Sequence, residues 1–393
     1  MRASLRLGSR RILVATIGGI AAVGTLTGSI LAVLVATAEP AAAHTVGGVR
    51  ASNYRTEIRS VSPASPDLTI RAVDLGDRLE LTNRRSRDVI VEGYDGEPYL
   101  RIGRRGAFEN VNSTATYLNR ARRAPAPPPD RADPTAAPEW RRIGSGPTVR
   151  WHDHRAHWMG LSNPPIVSRA PGEEHLIQRF TIVLHRGDDS IRVRGDVRWV
   201  PPPSPWPWIA VAAVVAVGAV LGARTRGAAA TLGGILTVAM GAAVVHASGS
   251  WAVATGSTAS HAGDALPTVG AVVLGVVALA QLRRRGLRAA APVLVFAGLF
   301  LGIAIGLADL SALSNSQLPT DLVPALDRLT IALALGGGFG VAVGAGLHVG
   351  DRRPPTSPKA GRPARQSPGT PPAPGSPTPE PPSENDSHSM MQG

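Results

Sequence analysis

The stretch PPPSPWPWIAVAAVVAVGAVLGARTRG, Pro201–Gly227, contains the change of solvent on which the fold turns. Its prolines lack the backbone donor a sheet ladder needs, so they end whatever β structure precedes them. Trp206 and Trp208 stand where an aromatic anchor meets lipid headgroups. An uncharged apolar run then continues to Arg224 and Arg226. A helix of this kind suits a hydrocarbon layer of roughly 30 Å. The chain on the two sides of this stretch obeys different rules.

Downstream, four more apolar segments lie near 228–248, 267–282, 289–309 and 329–349, and with 207–223 they predict a transmembrane domain of five helices over residues 207–350. Their internal glycines and alanines suit close helix packing in lipid. The loops fix an orientation. Basic residues gather after the first segment (Arg224, Arg226), after the third (Arg283, Arg284, Arg285, Arg288) and after the fifth (Arg352, Arg353), whereas loops 249–266 and 310–328 contain only Arg328. The positive-inside bias predicts a multi-pass protein of the cell membrane, with residues 44–206 extracytoplasmic and the tail 351–393 cytoplasmic. That tail is rich in proline and serine with almost nothing apolar to bury, so it is expected to be disordered.

Upstream, residues 1–43 have a basic start (Arg2, Arg6, Arg10, Arg11), an apolar run from Ile12 to Ala36 and a close on Ala41-Ala42-Ala43. This is the pattern of an export signal; cleavage after Ala43 makes His44 the mature N-terminus, and retention leaves a signal anchor. From 44 to 206 the pattern is β. Leu68–Ala72, Arg78–Thr82 and Ile191–Arg194 alternate apolar with polar, while Asp88–Val91 and Phe180–Leu184 are short runs rich in β-branched residues. Asp95-Gly96 and Gly187-Asp188 supply turn chemistry. Seven to nine strands predict an all-β antiparallel sandwich. The proline-rich stretch Arg122–Trp140 cannot lie in a central strand and is expected as a surface excursion.

Composition narrows the chemistry. The net charge of +13 comes almost wholly from arginine, Lys359 being the only lysine, and this bias looks like base composition rather than a nucleic-acid footprint, so no nucleic-acid partner is expected. With no cysteine, a metal site must use His, Met, carboxylate or the terminal amine. Three of the ten histidines, His152, His154 and His157, fall within "HDHRAH" together with Asp153. On a strand, His152 and His154 would project from one face and grip one ion, with His157 approaching from the following turn and Asp153 as ligand or orienter. A freed His44 adds an α-amine and an imidazole, a nitrogen-rich set that favours Cu(II). The alternative is an exposed His-rich loop whose rings bond neighbouring carbonyls.

An export signal ending in alanines, a mature N-terminal His44, a β-sandwich and a late Asp153-His154 pair together resemble the CopC-type copper-binding domains, and more loosely the YcnI-type exported copper proteins. The membrane region is similar in plan to a CopD-type partner. The resemblance implies copper as cofactor, with His44, His152, Asp153, His154 and His157 around it, and a further exported or membrane copper-handling protein, besides membrane lipid, as partner. The sequence departs from the family in having His152-Asp153-His154 for D-G-H, no methionine-rich segment, and the 122–140 excursion. The function expected is therefore copper handling by a membrane-anchored extracytoplasmic domain; the alternative is a cell-envelope interaction or scaffold protein without metal chemistry. No fingerprint of a hydrolase, metalloprotease or nucleotide enzyme occurs, and no enzymatic activity is expected. Within the helices, His246 and Asp309 are placed to face each other near the outer surface, with His348 near the inner end of the fifth segment.

Overall fold

The computed structural model describes residues 49–120, 127–255 and 258–349; the expected signal 1–43, His44 and the tail 351–393 lie outside the described residues. The N-terminal half is built of antiparallel strands in two sheets. Seven strands form one sheet in the order β1 (Tyr54–Ser62), β10 (Asp189–Trp199), β9 (His175–Arg186), β4 (Val89–Glu92), β5 (Pro98–Gly103), β6 (Gly106–Asn110) and β7 (Trp140–Gly144). Three form the other, β2 (Leu68–Val73), β3 (Arg78–Asn83) and β8 (Thr148–Trp151). The ten described strands exceed the seven to nine expected, because short strands such as β8 are too brief to give a clear period.

The alternation read in the sequence is the inward-facing set. Ile70, Leu79, Leu81 and Val149 of the small sheet bury against Val91, Ile102, Ile182, Leu184 and Val193 of the large one. In β10 every second residue from Ile191 to Trp199 is buried, as a strand with one wet face requires. The β9–β10 hairpin closes on Gly187-Asp188, with Arg186 paired to Asp189 and Gly187 at φ 62°, the positive value that the first central position of a type II′ turn needs. Buried Asn83 joins the sheets, its Nδ2 donating to the carbonyls of Arg87 (2.8 Å) and Ile102 (2.9 Å). The proline-rich excursion leaves after α1 (Thr114–Leu118) and returns as β7, which pairs with β6 alone. The excursion is thus attached at the sheet's edge, where a missing donor costs nothing.

After the short α2 (Pro165–Arg169), the C-terminal half is helical: α3 (Trp206–Gly222), α4 (Ala228–Val253), α5 (Thr258–Leu301) and α6 (Pro324–Gly346). Three stretches are long and apolar enough to cross a membrane, Ala228–Val253, Ala262–Leu307 and Pro324–Gly346, while Trp206–Gly222 is shorter. The expected five helices are not met on this measure, since the segments 267–282 and 289–309 fall in one stretch. That stretch is broken at Gly286 (φ 76°, ψ 172°). A methyl built on Gly270 would lie 3.2 Å from Phe300 Cζ. Thirty residues of unbroken helix would hold these positions about 45 Å apart. The chain therefore doubles back at Gly286, where glycine tolerates the left-handed backbone.

The most deeply packed helix is α6. Its Gly336 and Gly340 meet the backbone of α3 at Ala212 and Ala216, and Gly337 meets Ala239 of α4. A methyl on Gly338 would lie 2.5 Å from the Gly302 amide nitrogen and 2.8 Å from the Gly298 carbonyl oxygen. Small residues allow this approach of helix backbones, which is how helices associate where no hydrophobic effect pulls them together.

The two halves are joined by main-chain bonds. Ser52 and Gln317 exchange N–H···O bonds of 3.0 and 2.8 Å, Ser316 N donates to Asn53 Oδ1 (2.8 Å), and Ser316 Oγ donates to the Val200 carbonyl (3.0 Å). At the end of α4, Arg150 donates to the Thr255 carbonyl and Thr255 Oγ1 to Asp74 Oδ1 (2.5 Å). Arg150 also shares the nearly buried Glu80 carboxylate with Arg71, at 2.5 and 2.7 Å. Burial alone would raise the Glu80 pKa, but the two guanidinium groups outweigh it and hold the carboxyl below its ordinary 4.5.

Two outcomes follow. Gly338→Val forces α6 away from Gly298 and Gly302 and lowers helical-domain stability by about 1–3 kcal/mol, read as a reduced thermal midpoint of the detergent-solubilised chain. Because the Glu80 pKa is lowered on folding, its contribution is complete above 4.5 and is lost as pH falls through the lowered value. Glu80→Gln removes that part of the acid sensitivity in a fluorescence titration between neutral and acid pH.

Candidate functional site

The HDHRAH segment does not lie on a strand. β8 ends at Trp151, and the chain turns immediately, Ala156 N donating to the Asp153 carbonyl at 2.8 Å. The period-two argument that put His152 and His154 on one face therefore does not apply. His152 is turned toward the β2–β3 connection, where its Nδ1 donates to the Asp77 carbonyl (2.9 Å) and lies 3.3 Å from Asp77 Oδ2. A ring nitrogen that donates to a carbonyl carries the proton there, so Nδ1 of this tautomer has no lone pair for a metal.

Asp153 is wholly buried, at 0% exposure, and both of its oxygens are engaged. Oδ1 accepts from Arg155 N (3.1 Å) and Nε (2.8 Å); Oδ2 accepts from Arg155 Nη2 (2.8 Å) and Trp151 Nε1 (3.0 Å). A carboxylate has about four lone-pair sites, and here all are taken. The Arg155 guanidinium extends further, to the carbonyls of Glu92 and Gly93 and over the ring of Tyr94, 5.0 Å from its centroid. Burial disfavours the Arg155 charge, but the Asp153 carboxylate more than offsets it and raises the arginine pKa. Tyr94 moves the same way: loss of water around its hydroxyl, then the Asp153 charge, push its pKa well up, so the phenol keeps its proton.

His154 and His157 remain together. His154 N donates to the Tyr94 hydroxyl (3.0 Å), and the His154 and His157 rings meet edge to face with centroids 5.6 Å apart. His157 is buried, and the carbonyls on either side of Ala156's neighbourhood are held by β9: Gln178 Nε2 donates to Arg155 O (2.8 Å) and His157 O (3.3 Å), while Thr56 Oγ1 of β1 donates to Ala156 O (2.6 Å). The segment is thus a corner that fastens β1, β9 and the β4–β5 connection. Of the expected ligand set, the structure brings together His154 and His157, turns His152 away, and saturates Asp153. His44 lies outside the described residues. Among the described residues no group of three or more His, Asp or Glu is arranged to hold a metal ion.

Two participants escaped the sequence reading. Arg155 and Tyr94 complete the corner, and the only local signal was the D-x-R spacing that lets an arginine fold back on its own turn. Glu97 is buried and accepts from Ser113 Oγ (2.5 Å) and Asp95 N (2.9 Å), thereby fixing the start of α1.

A second cluster lies in the helices. His246 of α4 bridges two carboxylates, Nδ1 to Asp327 Oδ1 of α6 at 2.8 Å and Nε2 to Asp309 Oδ2 at 3.4 Å. The facing of His246 and Asp309 agrees with the sequence; Asp327 was not anticipated. The adjacent Arg328 donates to the carbonyls of Ala312 (3.1 Å) and Asn315 (2.8 Å). His348 pairs with the Ala223 carbonyl at the end of α3 (2.8 Å).

No family model matches the chain, and comparison with curated proteins and with solved structures finds no match either.

Asp153→Ala leaves the Arg155 guanidinium without its counter-charge and destabilises the β domain by about 3–5 kcal/mol. His154→Ala costs far less, since its backbone bond to Tyr94 survives. Urea unfolding of the two variants, followed by tryptophan fluorescence, separates them.

Proposed function

We propose that the chain is a multi-pass membrane protein that presents an extracytoplasmic β domain to a partner in the cell envelope, the domain being held at a fixed attitude on the helices. The observation that carries this reading is the main-chain exchange between Ser52 and Gln317, reinforced by Asn53, Val200 and Ser316. A tethered domain needs no such bonds. A domain that must pass a partner's load or position to the helices does.

The orientation follows from charge. The segments that meet the β domain, around 254–255 and 315–320, belong to the loops that contain only Arg328, and the arginine-rich turns at 224–226 and 283–288 belong to the opposite side. In this reading the doubling back at Gly286 divides Ala262–Leu307 into two crossings and α3 supplies another, giving five in all. Residues 1–43 act as export signal and 351–393 as a cytoplasmic tail.

Copper handling is the second reading, and the contact between His154 and His157 is what favours it. It needs further ligands from outside that pair, of which His44 is the one the sequence offers.

The absence of cysteine makes both readings accessible to direct tests. Single replacements Ser190→Cys, Thr225→Cys and Arg285→Cys are labelled on intact cells with a membrane-impermeant maleimide. The expected result is labelling of the first alone, with the others reacting only after permeabilisation; the reverse pattern overturns the orientation. Titration of the full chain in detergent with Cu(II) then decides between the functions. Absence of micromolar binding leaves the interaction reading in place, whereas tight binding that disappears in a His154→Ala/His157→Ala variant replaces it with copper handling.

A further inference from the structure

A cavity of about 490 Å³ opens between the β domain and the helix ends. Three arginines from three strands line its β side: Arg55 of β1, Arg71 of β2 and Arg150 of β8. Its opposite wall is mixed, with Val253 at the end of α4 and Leu318 and Pro319 in the segment leading to α6 set among Thr255, Gln317 and Thr320. Arg55 is paired with Glu57 (2.7 Å) and Glu174 (3.2 Å), so the surplus of cationic donors lies at Arg71 and Arg150. Glu80 alone serves both Arg71 and Arg150, and each of these engages it through a single nitrogen, Nε. A guanidinium has five N–H donors, so most of those on Arg71 are unspent by Glu80, and its side chain is 61% exposed. The one acid in the lining, Asp74, is occupied by Thr255 Oγ1 and Arg78.

We infer that this cavity binds the phosphate-bearing headgroup of an anionic membrane lipid. A guanidinium offers paired donors that match the oxygens of a phosphodiester, and such charge-assisted bonds are the strong ones. The apolar sill of Val253, Leu318 and Pro319 receives the first carbons of the glyceryl ester. Location favours lipid over a soluble anion: the cavity sits at the ends of two stretches apolar enough to cross a membrane, which on the membrane reading is where headgroups lie. The bound lipid bridges the β domain and the helices and so strengthens the junction. This inference rests on the membrane reading above but not on the identity of the envelope partner.

The test uses the full chain in detergent, delipidated and then offered phosphatidylglycerol or phosphatidylcholine, with native mass spectrometry as the readout. One phosphatidylglycerol per chain is expected, retained in preference to phosphatidylcholine. In Arg55→Gln/Arg71→Gln retention falls roughly thirtyfold, given roughly 1 kcal/mol for each arginine facing an anionic headgroup. Circular dichroism confirms that the variant is folded; should it not be, Arg71→Gln alone, at an exposed position, gives the same comparison with a smaller loss. Equal retention of the two lipids, or retention unchanged in a folded variant, overturns the site. Binding of inorganic phosphate without retention of phosphatidylglycerol also overturns it, in favour of a soluble anion. Because the measurement is made in detergent, it is independent of the cysteine labelling, so a chain oriented as proposed yet indifferent to phosphatidylglycerol refutes this inference alone.

Discussion

The helical half depends on how closely α6 approaches its neighbours. Gly336, Gly338 and Gly340 give it surfaces with no side chain, and α3 and the Gly298–Gly306 region bring backbone against backbone there. In lipid, apolar side chains gain little by leaving their surroundings, so association must come from close contact of this kind and from interhelical hydrogen bonds. The position of α6 in turn sets the loop before it, and that loop supplies Ser316 and Gln317 to the β domain. The placement of the sandwich is therefore tied to a glycine-lined helix far along the chain.

Within the sandwich, the same logic of full satisfaction governs the HDHRAH corner. A buried carboxylate is tolerable when every lone pair has a donor, and Asp153 meets that condition through Arg155 and Trp151. The chemistry that makes a sequence look like a metal site, histidines around an aspartate, also makes a good structural corner. What separates the two is whether acceptor capacity is left over, and at Asp153 none is.

Much of the fold was legible because burial in a half-wet sheet writes itself as alternation. β2, β3 and β10 were readable for this reason, and Gly187-Asp188 and Asp95-Gly96 marked the β9–β10 and β4–β5 turns. β8 has four residues, too few to establish a period. The count of five was not met, because one apolar stretch runs from Ala262 to Leu307 and Trp206–Gly222 is short; the left-handed Gly286, among the arginines that separate 267–282 from 289–309 in the sequence, marks the reversal. The candidate ligands were legible as residue types, but their partners were not. Arg155 is adjacent to them in sequence, whereas Tyr94 and Asp77 come from loops some sixty and seventy residues away. The His246–Asp309 facing was visible because ionisable residues are scarce in apolar segments, and Asp327 was missed because it falls inside the expected loop 310–328, whereas the helix already starts at Pro324.

The attachment of Gln317 to Ser52 has a mechanical corollary. Arg328 holds the carbonyls of Ala312 and Asn315, so the loop that grips the sandwich is also clasped by a guanidinium rooted beside Asp327 and His246. A pull on the β domain travels along this loop to that clasp. Slippage there would strand a cation away from its acceptors in poorly polar surroundings, so the joint yields abruptly or not at all, behaving as a latch rather than a spring.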